Sequence, residues 1–276
     1  MKADWVDVSL ELAKTPASFY SGARKIIRNH SFTFKRVRTD LTLADCGFTK
    51  SKQTMLVKNY LNEESRDAAV MLWKRRIDQD KYGSVGFSTY NHFVKGHGLK
   101  KLEGGKVNRA SVMGPCIQSV TLTLLPSRKV AIDIFYRTTE LFKKFPADLV
   151  FIRDVLLPPF HTSDGLQEIN FHFANITCHP MYFVTLIPLL GADVVHELEG
   201  IRKADKKFFE WVVKWTARYV CPEHMRGIQK FAQAMRVKQD AMNRIPPNVL
   251  KGLRKYLNDH HPGYRNEYTA PEEDEE

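Results

Sequence analysis

The stretch CIQSVTLTLLPSRKVAIDIFYRTTE, residues 116–140, decides the fold. From residue 116 to 124, apolar and polar side chains alternate, which is the period-two pattern of a half-buried β-strand. The segment PSRK at 126–129 is typical of a turn, and residues 130–136 are again strand-like. The stretch therefore predicts two antiparallel strands joined as a β-hairpin.

The segments around this hairpin place it between helical ends. Upstream, the pattern predicts a helix over 3–29, a strand with a basic end over 31–38, a short helix over 66–76, an extended segment over 84–94 and a basic loop over 95–106. Downstream, it predicts a helix from 138 to 144 that is interrupted near Pro146, a strand over 168–175 and mainly helices from about 181. Strands in the middle and helices at both ends indicate an α+β fold.

The composition is that of a globular protein. The chain has 276 residues, of which 43% are hydrophobic, and this is enough for a packed core. No apolar run is long enough to cross a bilayer, and the acidic residues near the start disfavour a signal peptide. We therefore expect a cytoplasmic protein without a membrane partner.

The four cysteines, at positions 46, 116, 178 and 221, are scattered and none belongs to a CxxC pair. This spacing disfavours zinc ribbons and thioredoxin-like chemistry, so no metal site is predicted. Such sparse cysteines fit a reducing compartment.

Positive charge is concentrated towards the end of the chain. The net charge is +11, and residues 201–264 hold 14 Lys and Arg against 5 Asp and Glu. A basic surface attracts polyanions or anionic small molecules. The sign reverses in the acidic residues 265–276, which we expect to form a disordered tail. A further interpretation of the basic helices is an ordinary solvated face.

Two polar residues flank the hairpin in positions that suit a reactive site. Cys116 is either a small buried core residue or a nucleophile, since a working thiolate needs positive surroundings. Arg137, between a strand and the predicted helix, is placed to hold a phosphate together with the Thr138 hydroxyl and free backbone amides. The alternative is a surface arginine followed by Thr138 as an ordinary N-cap.

Three more residues downstream are candidates for ligand contacts. Asp148 lies in the apolar segment PADLVFIRDVLL, so its carboxyl group either faces solvent or has a partner. His179 and Tyr182 follow a strand and are able to donate to a ligand hydroxyl. Their alternative role is a capped strand end with a packed tyrosine.

Taken in order, these residues resemble the motifs of the thymidylate synthase and deoxycytidylate hydroxymethylase family. That family has a Pro-Cys nucleophile, then Arg-Ser-x-Asp at a strand end, then Pro-x-Asn. Here the matching segments are Pro115-Cys116, Arg137-Thr138-Thr139-Glu140 and Pro146-Ala147-Asp148, with no gap between the second and third. The segment 175–179 stands near the place of the family's Asp-x-His-x-Tyr motif. The resemblance covers roughly residues 110–185.

The resemblance implies a fold and an organisation. The expected fold is α+β, with a thymidylate synthase-like mixed sheet, flanking helices and a mainly helical C-terminal region. The resemblance implies a pyrimidine-nucleotide core over 1–190. The basic helical extension over 191–264 and the acidic tail over 265–276 are predicted from the residues alone, and the basic helical region has no obvious counterpart in the family. A homodimer is implied as well.

The resemblance also assigns roles. Cys116 would add to carbon 6 of a pyrimidine and so activate carbon 5. Arg137 and Thr138 would hold the 5′-phosphate, with Arg38 or Arg109 assisting. His179 and Tyr182 would contact the sugar, and Glu140 would lie in the folate site for 5,10-methylenetetrahydrofolate. Asp148 would read the pyrimidine edge.

Asp148 stands where uracil-using members of the family have an amide. A carboxyl group suits the N4 donor and N3 acceptor of cytosine better than O4 of uracil. The sequence therefore favours a dCMP or CMP 5-hydroxymethylase-like enzyme, in which water captures the methylene intermediate. The family's catalytic glutamate falls at Val70, with Asp67, Glu64 and Glu63 as substitutes.

Two other functions stay open. The first is thymidylate synthase acting on dUMP. The second is a homologue that binds nucleic acid through its basic helices, a role that the missing glutamate at Val70 and the basic C-terminal region both favour. A variant of the second would modify a pyrimidine already in a polymer, which requires flipping the base into the pocket.

Overall fold

A computed structural model gives the structure of the chain. It describes residues 4–34, 41–43, 50, 54, 61–79, 82–89, 116–125, 130–160, 166–220 and 245–260. Of the predicted site residues, Arg38 and Arg109 lie outside the described residues, as do Pro115, the loop over 95–106 and the tail over 265–276.

The described part of the chain is α+β, as predicted, with one six-stranded sheet of order β1-β2-β6-β5-β4-β3. The strands are β1 Phe19–Ser21, β2 Arg24–Phe34, β3 Gly83–Ser88, β4 Ile117–Leu124, β5 Val130–Glu140 and β6 Leu166–Cys178. The helices are α1 Asp4–Lys14, α2 Glu63–Asp78, α3 Phe145–Phe151, α4 Ile187–Leu190, α5 Val194–Ala204, α6 Lys206–Val220 and α7 Pro247–His260. A π-helix, Ile152–Leu156, continues α3, and short 3-10 helices cover Pro158–Phe160, Pro180–Thr185 and Gly191–Asp193.

The predicted hairpin is confirmed. Strands β4 and β5 are antiparallel and pair Leu124 with Val130 at the turn. The register shifts between Ile117 and Ser119, so that Ile117 pairs with Tyr136. Gln118 is therefore the extra residue of a β-bulge.

Strand β6 makes the sheet mixed. Ser31 and Thr33 of β2 bond to His172 and Asn170 respectively, so the two strands run in opposite directions. Between β5 and β6, residue numbers instead rise in the same direction along both strands. Asp133 bonds to His172, and further along the Tyr136 ring stacks on Phe173. This is the pattern of a parallel pair, and such a pair needs a crossover, which here contains α3.

Two sequence predictions near the strand ends are wrong. The predicted helix over 3–29 ends at Lys14, because Gly22 turns the chain with a φ of 58° and the residues that follow pair as β1 and β2. The predicted helix over 138–144 is absent, because β5 continues to Glu140 and a turn precedes α3. Thr138 and Thr139 are β-branched, which suits the extended strand.

The chain divides into two compact units, and the division falls within strands β2, β5 and β6. The sheet unit comprises residues 28–139 and 144–176, and the helical unit comprises residues 1–27, 140–143 and 177–276. The predicted segments 1–190 and 191–264 stay predictions. Among the described residues, no helix is both long and apolar enough to span a membrane.

The core of the sheet unit is aromatic. Rings from β2, β6 and α3 meet at centroid distances of 5.2 to 6.5 Å, and the set consists of Phe32, Phe34, Phe145, Phe171 and Phe173. Every residue of α3 is buried, and Pro146 stands in its first turn, where a missing backbone donor costs nothing. This packing fixes α3 and hence Asp148.

The core of the helical unit is built from amphipathic helices. α6 and α7 bury one apolar side each, including Phe208, Val212, Leu253 and Leu257. α1 is joined to α5 by an ion pair of 2.6 Å between Lys14 and Glu197. The opposite side of α6 carries charge.

Candidate functional site

Cys116 and Arg137 are cross-strand neighbours at the end of the β4–β5 hairpin. The backbone N–H of Arg137 donates to the carbonyl oxygen of Cys116 at 2.8 Å. Residues that are opposite in an antiparallel pair have Cα atoms about 5.5 Å apart and extend their side chains from the same face. The backbone bond therefore extends the β4–β5 pairing by one residue, to Cys116 and Arg137.

Cys116 is nearly buried. The residue is 7% exposed and has no disulfide partner. Burial agrees with the core interpretation, because reactive cysteines lie in partly exposed, electropositive surroundings. The positive charge of Arg137 on the adjoining strand is the feature that a nucleophilic cysteine requires and a packing cysteine does not.

The predicted setting of Arg137 and Thr138 at a helix N-terminus is wrong. Both residues lie inside β5, and the helix α3 begins only at Phe145. Free helical amides therefore do not assist phosphate binding here. The guanidinium donors of Arg137 and the half-buried Thr138 hydroxyl are what these positions supply.

Asp148 is buried and has a partner. It is 4% exposed, and Thr139 Oγ1 donates to its Oδ2 at 3.2 Å. Burial raises the pKa of Asp148 to about 7, although the Thr139 hydrogen bond and the charge of Lys144 act in the opposite direction. The group is consequently divided between carboxylic acid and carboxylate near neutral pH, and the acid form has an O–H donor.

Glu140 organises a second group of predicted residues, in the helical unit. Its Oε2 accepts from the backbone N–H of Lys143 at 2.7 Å, and its Oε1 accepts from that of His179 at 3.2 Å. Burial raises the pKa of Glu140 to about 7 despite these bonds and the charge of Lys143. The carboxyl group thus ties the end of β5 to the end of β6.

His179 and Tyr182 are neighbours in this second group. His179 Nδ1 accepts from the Met181 N–H at 3.4 Å, and the His179 and Tyr182 rings lie 5.3 Å apart. Burial, together with the charge of Arg24, lowers the pKa of His179. The ammonium group of Lys143 lies 4.8 Å from the centre of the Tyr182 ring. The capping role and the packed tyrosine suggested by the sequence are therefore both present.

The predicted residues accordingly fall into two groups, each described within its own unit. The sheet unit holds Cys116, Arg137, Thr138 and Asp148, and the helical unit holds Glu140, His179 and Tyr182.

The candidate general bases on α2 are on the solvent side. Glu63, Glu64 and Asp67 are exposed, and Asp67 pairs with Arg66 at 2.9 Å. Val70 is half-buried. None of the three carboxylates has the burial that raises the pKa of Asp148.

A row of hydrogen-bonded polar side chains crosses three strands of the sheet unit, and the sequence analysis did not predict it. Ser31 Oγ lies 3.1 Å from His172 Nδ1, and His172 Nε2 lies 2.9 Å from Asp133 Oδ1. The Phe135 ring stacks on His172 at 4.7 Å. These residues are far apart along the chain, and only the strand order and register bring them together.

A buried ion pair in the helical unit was also missed. Lys25 is fully buried, and its ammonium group contacts Asp205 Oδ2 at 3.0 Å and the Ala13 carbonyl at 2.7 Å. Tyr20 donates a hydrogen bond to the other carboxyl oxygen of Asp205. Burial lowers the pKa of Lys25, while Asp205 opposes the shift. If residues 24–34 had been predicted as a strand, Lys25 would have been expected on the buried face of that strand together with Ile27.

Within the described ranges, no group of three or more His, Cys, Asp or Glu residues is arranged to hold a metal ion. Neither protein-family models nor curated proteins give a match to this chain.

Proposed function

We propose that the protein is a pyrimidine C5 one-carbon transferase, with a cytidine monophosphate as the preferred substrate. The observation that carries this proposal is the cross-strand pairing of Cys116 with Arg137. It supports a nucleophilic thiol beside a cationic group that is suited to a substrate phosphate. The resemblance to the thymidylate synthase and deoxycytidylate hydroxymethylase family supplies the reaction class.

In the proposed reaction, the Cys116 thiolate adds to carbon 6 of the pyrimidine. The electron pair of the C5–C6 double bond moves to carbon 5, which becomes nucleophilic. After carbon 5 has bonded to the one-carbon unit, carbon 5 would lose its proton as the amine of the one-carbon donor departs. Water would then add to the resulting methylene group as the thiolate leaves carbon 6, which restores the ring. Arg137 neutralises the 5′-phosphate of the substrate through its forked donors, and Thr138 adds a hydroxyl.

Asp148 would select cytosine. Its pKa of about 7 leaves a fraction of the group protonated at neutral pH, and that form donates to N3 of cytosine. The second oxygen accepts from the N4 amino group. Uracil has a carbonyl at position 4, which the ionised form of the group repels. Burial against Thr139 supports this role, because it holds the carboxyl group in one orientation.

Glu140 fits an acceptor role towards a folate. A carboxylate has about four lone-pair positions, and the backbone amides of Lys143, His179 and Phe142 use part of this capacity. Methylenetetrahydrofolate, when bound, would supply the one-carbon unit. The contact of His179 and Tyr182 with the substrate sugar stays a prediction from the resemblance.

Tritium release tests the proposal. Protein is incubated with [5-³H]dCMP or [5-³H]dUMP, with and without methylenetetrahydrofolate, and tritium in water is counted. We expect release from dCMP that Cys116→Ala abolishes and Cys178→Ala retains. Release from dUMP alone would replace the proposal with thymidylate synthase. No release from either nucleotide would overturn it.

The cytosine assignment has its own test. Asp148→Asn exchanges the carboxyl group for an amide of the same size, and we expect it to shift release from dCMP towards dUMP. An unchanged ratio of the two substrates would overturn the role of Asp148 while leaving that of Cys116 intact. Asp154→Asn, at an exposed position of the π-helix, serves as the matched control.

A further inference from the structure

One side of α6 is basic and partly aromatic. Lys207, Glu210, Trp211 and Lys214 follow the i, i+3, i+4 and i+7 spacing that places them on one face of a helix. Lys207 and Glu210 are exposed, while Trp211 and Lys214 are half-exposed. Large apolar residues such as Phe208 and Val212 lie on the other side and are buried. The tryptophan thus reaches the surface among charged residues.

Lys207 is fixed over two aromatic rings. Its ammonium group lies 4.5 Å from the centre of the Tyr20 ring and 5.5 Å from that of Trp211. The two rings meet edge to face with centroids 5.3 Å apart. Tyr20 is held in turn by its hydrogen bond to Asp205. A cation and two aromatic groups are therefore preorganised at the protein surface.

More positive charge surrounds this cluster. Lys206 begins α6 and is exposed, and the exposed Lys203 lies in the last turn of α5. Glu210 is the acidic residue of the same α6 face. From Lys207 to Lys214 the helix rises about 10 Å, a length that corresponds to about three nucleotides at 3.4 Å each.

We infer that these residues form a binding surface for single-stranded nucleic acid. The surface is made of Tyr20, Lys203, Lys206, Lys207, Trp211 and Lys214, and we call it the lysine–tryptophan surface. Lysines neutralise the phosphates, and surface aromatic groups interact with unpaired bases, which is the combination that single-strand binding proteins use. A membrane is disfavoured as the partner, because the apolar side of α6 is already buried in the helical unit.

This inference goes beyond the proposed reaction and does not depend on it. A protein with this surface binds a polymer whether or not Cys116 activates a pyrimidine. Tritium release from free nucleotides and binding of an oligonucleotide are separate measurements on the same variants. Failure of one is therefore distinguishable from failure of the other.

The test is fluorescence anisotropy of a labelled 20-nucleotide oligothymidylate, titrated with the full chain at several salt concentrations. For single strands, log K falls with log [salt] by about 0.7 for each neutralised phosphate. Replacing both lysines in Lys207→Gln/Lys214→Gln should therefore reduce the slope by about 1.4. Trp211→Ala should weaken binding about tenfold, and Trp211→Phe should restore part of the loss.

Two matched variants make the result specific. Lys251→Gln/Lys255→Gln removes the same charge from exposed positions of α7 and should leave both affinity and slope nearly unchanged. Glu210→Gln removes the one acidic residue of the described α6 face and should strengthen binding. Circular dichroism of each variant verifies its folding.

Several outcomes would overturn the inference. If the α7 and α6 double variants lose the same affinity, the oligonucleotide is attracted by the net charge of the protein and not by a particular surface. Tighter binding to duplex DNA of the same length, or to vesicles of anionic lipid, would assign the surface to another partner. If oligothymidylate does not bind at 50 mM salt, the lysine–tryptophan surface is not a binding site for single-stranded nucleic acid.

Discussion

Cys116 lies opposite Arg137 because the β4 strand contains one extra residue. Beyond the bulge, Ser119 pairs with Phe135, whereas on the near side Ile117 pairs with Tyr136. If Gln118 instead paired in the register of Ser119 with Phe135, Cys116 would lie opposite Thr138. The bulge thus selects which side chain accompanies the thiol, as bulges near functional sites do.

The two described cysteines should differ in reactivity. Cys116 is 7% exposed at a strand end, whereas Cys178 is fully buried and burial raises the pKa of its thiol. We expect iodoacetamide to modify Cys116 at least about ten times faster than Cys178 in the native protein. Peptide mass spectrometry after timed quenching measures both rates in one sample.

Substrate protection provides the control. Saturating dCMP should slow modification of Cys116 and leave that of Cys178 unchanged, and both residues should react alike in 6 M guanidinium chloride. Equal rates in the native protein, or protection of neither residue, would favour Cys116 as a packing residue.

The hairpin was predictable from the sequence because one strand face is buried and the other is not, so alternation appears in the residues themselves. The helix over 3–29 was predicted wrongly because the apolar residues near Ile26 and Ile27 were assigned to a helix rather than to a strand. The positive φ of Gly22, which allows the turn between β1 and β2, is not visible in composition. The end of β5 was missed because Thr138 also suits a helix N-cap.

The candidate site was predictable in its residue types but not in its contacts. Asp148 required either solvent or a partner, and the structure supplies Thr139. Which residue lies opposite Cys116 depends on the β-bulge at Gln118, and no sequence pattern predicts that bulge. Glu140 was assigned to a ligand alone, yet it binds the backbone of His179, a contact that depends on where β5 ends.

The titration of Asp148 should make stability depend on pH. The folded-state pKa of about 7 lies above the ordinary value near 3.9. Between these values the folded protein binds more protons than the unfolded chain, so this group lowers stability as pH rises. Asp148→Asn removes that loss and retains an oxygen for Thr139. Relative to wild type, the variant should gain roughly 2–4 kcal/mol between pH 5 and pH 8.

Urea unfolding at both pH values measures this gain. Asp154→Asn changes an exposed carboxyl group that pairs with Arg153, and its effect should stay within about 0.5 kcal/mol at either pH. A constant difference between Asp148→Asn and wild type across the range would mean that Asp148 is ionised in the folded protein throughout.

Glu140 should respond differently to the corresponding amide substitution. Each of its two oxygens accepts a backbone N–H, whereas glutamine presents one acceptor and one donor. At pH 5.5 the carboxyl group is mainly protonated, but its hydroxyl oxygen can still accept, whereas the NH₂ group of glutamine cannot. Glu140→Gln should therefore cost about 1–3 kcal/mol at pH 5.5. Thermal unfolding measures the loss, and Glu168→Gln on β6 is the control. Similar losses in both variants would mean that the backbone bonds of Glu140 contribute little.

The buried pair of Lys25 and Asp205 should show strong coupling. Lys25→Met alone leaves the Asp205 carboxylate without its cation and should cost about 3–5 kcal/mol. Asp205→Asn keeps an oxygen for the Phe208 N–H, 3.0 Å away in the native protein, so the double variant should lose at least about 1.5 kcal/mol less than the sum of the single losses. Lys14→Met, at an ion pair whose lysine is 35% exposed, should cost only about 1 kcal/mol. Additive losses at Lys25 and Asp205 would show that the two groups are stabilised separately, Lys25 by the Ala13 carbonyl and Asp205 by Tyr20.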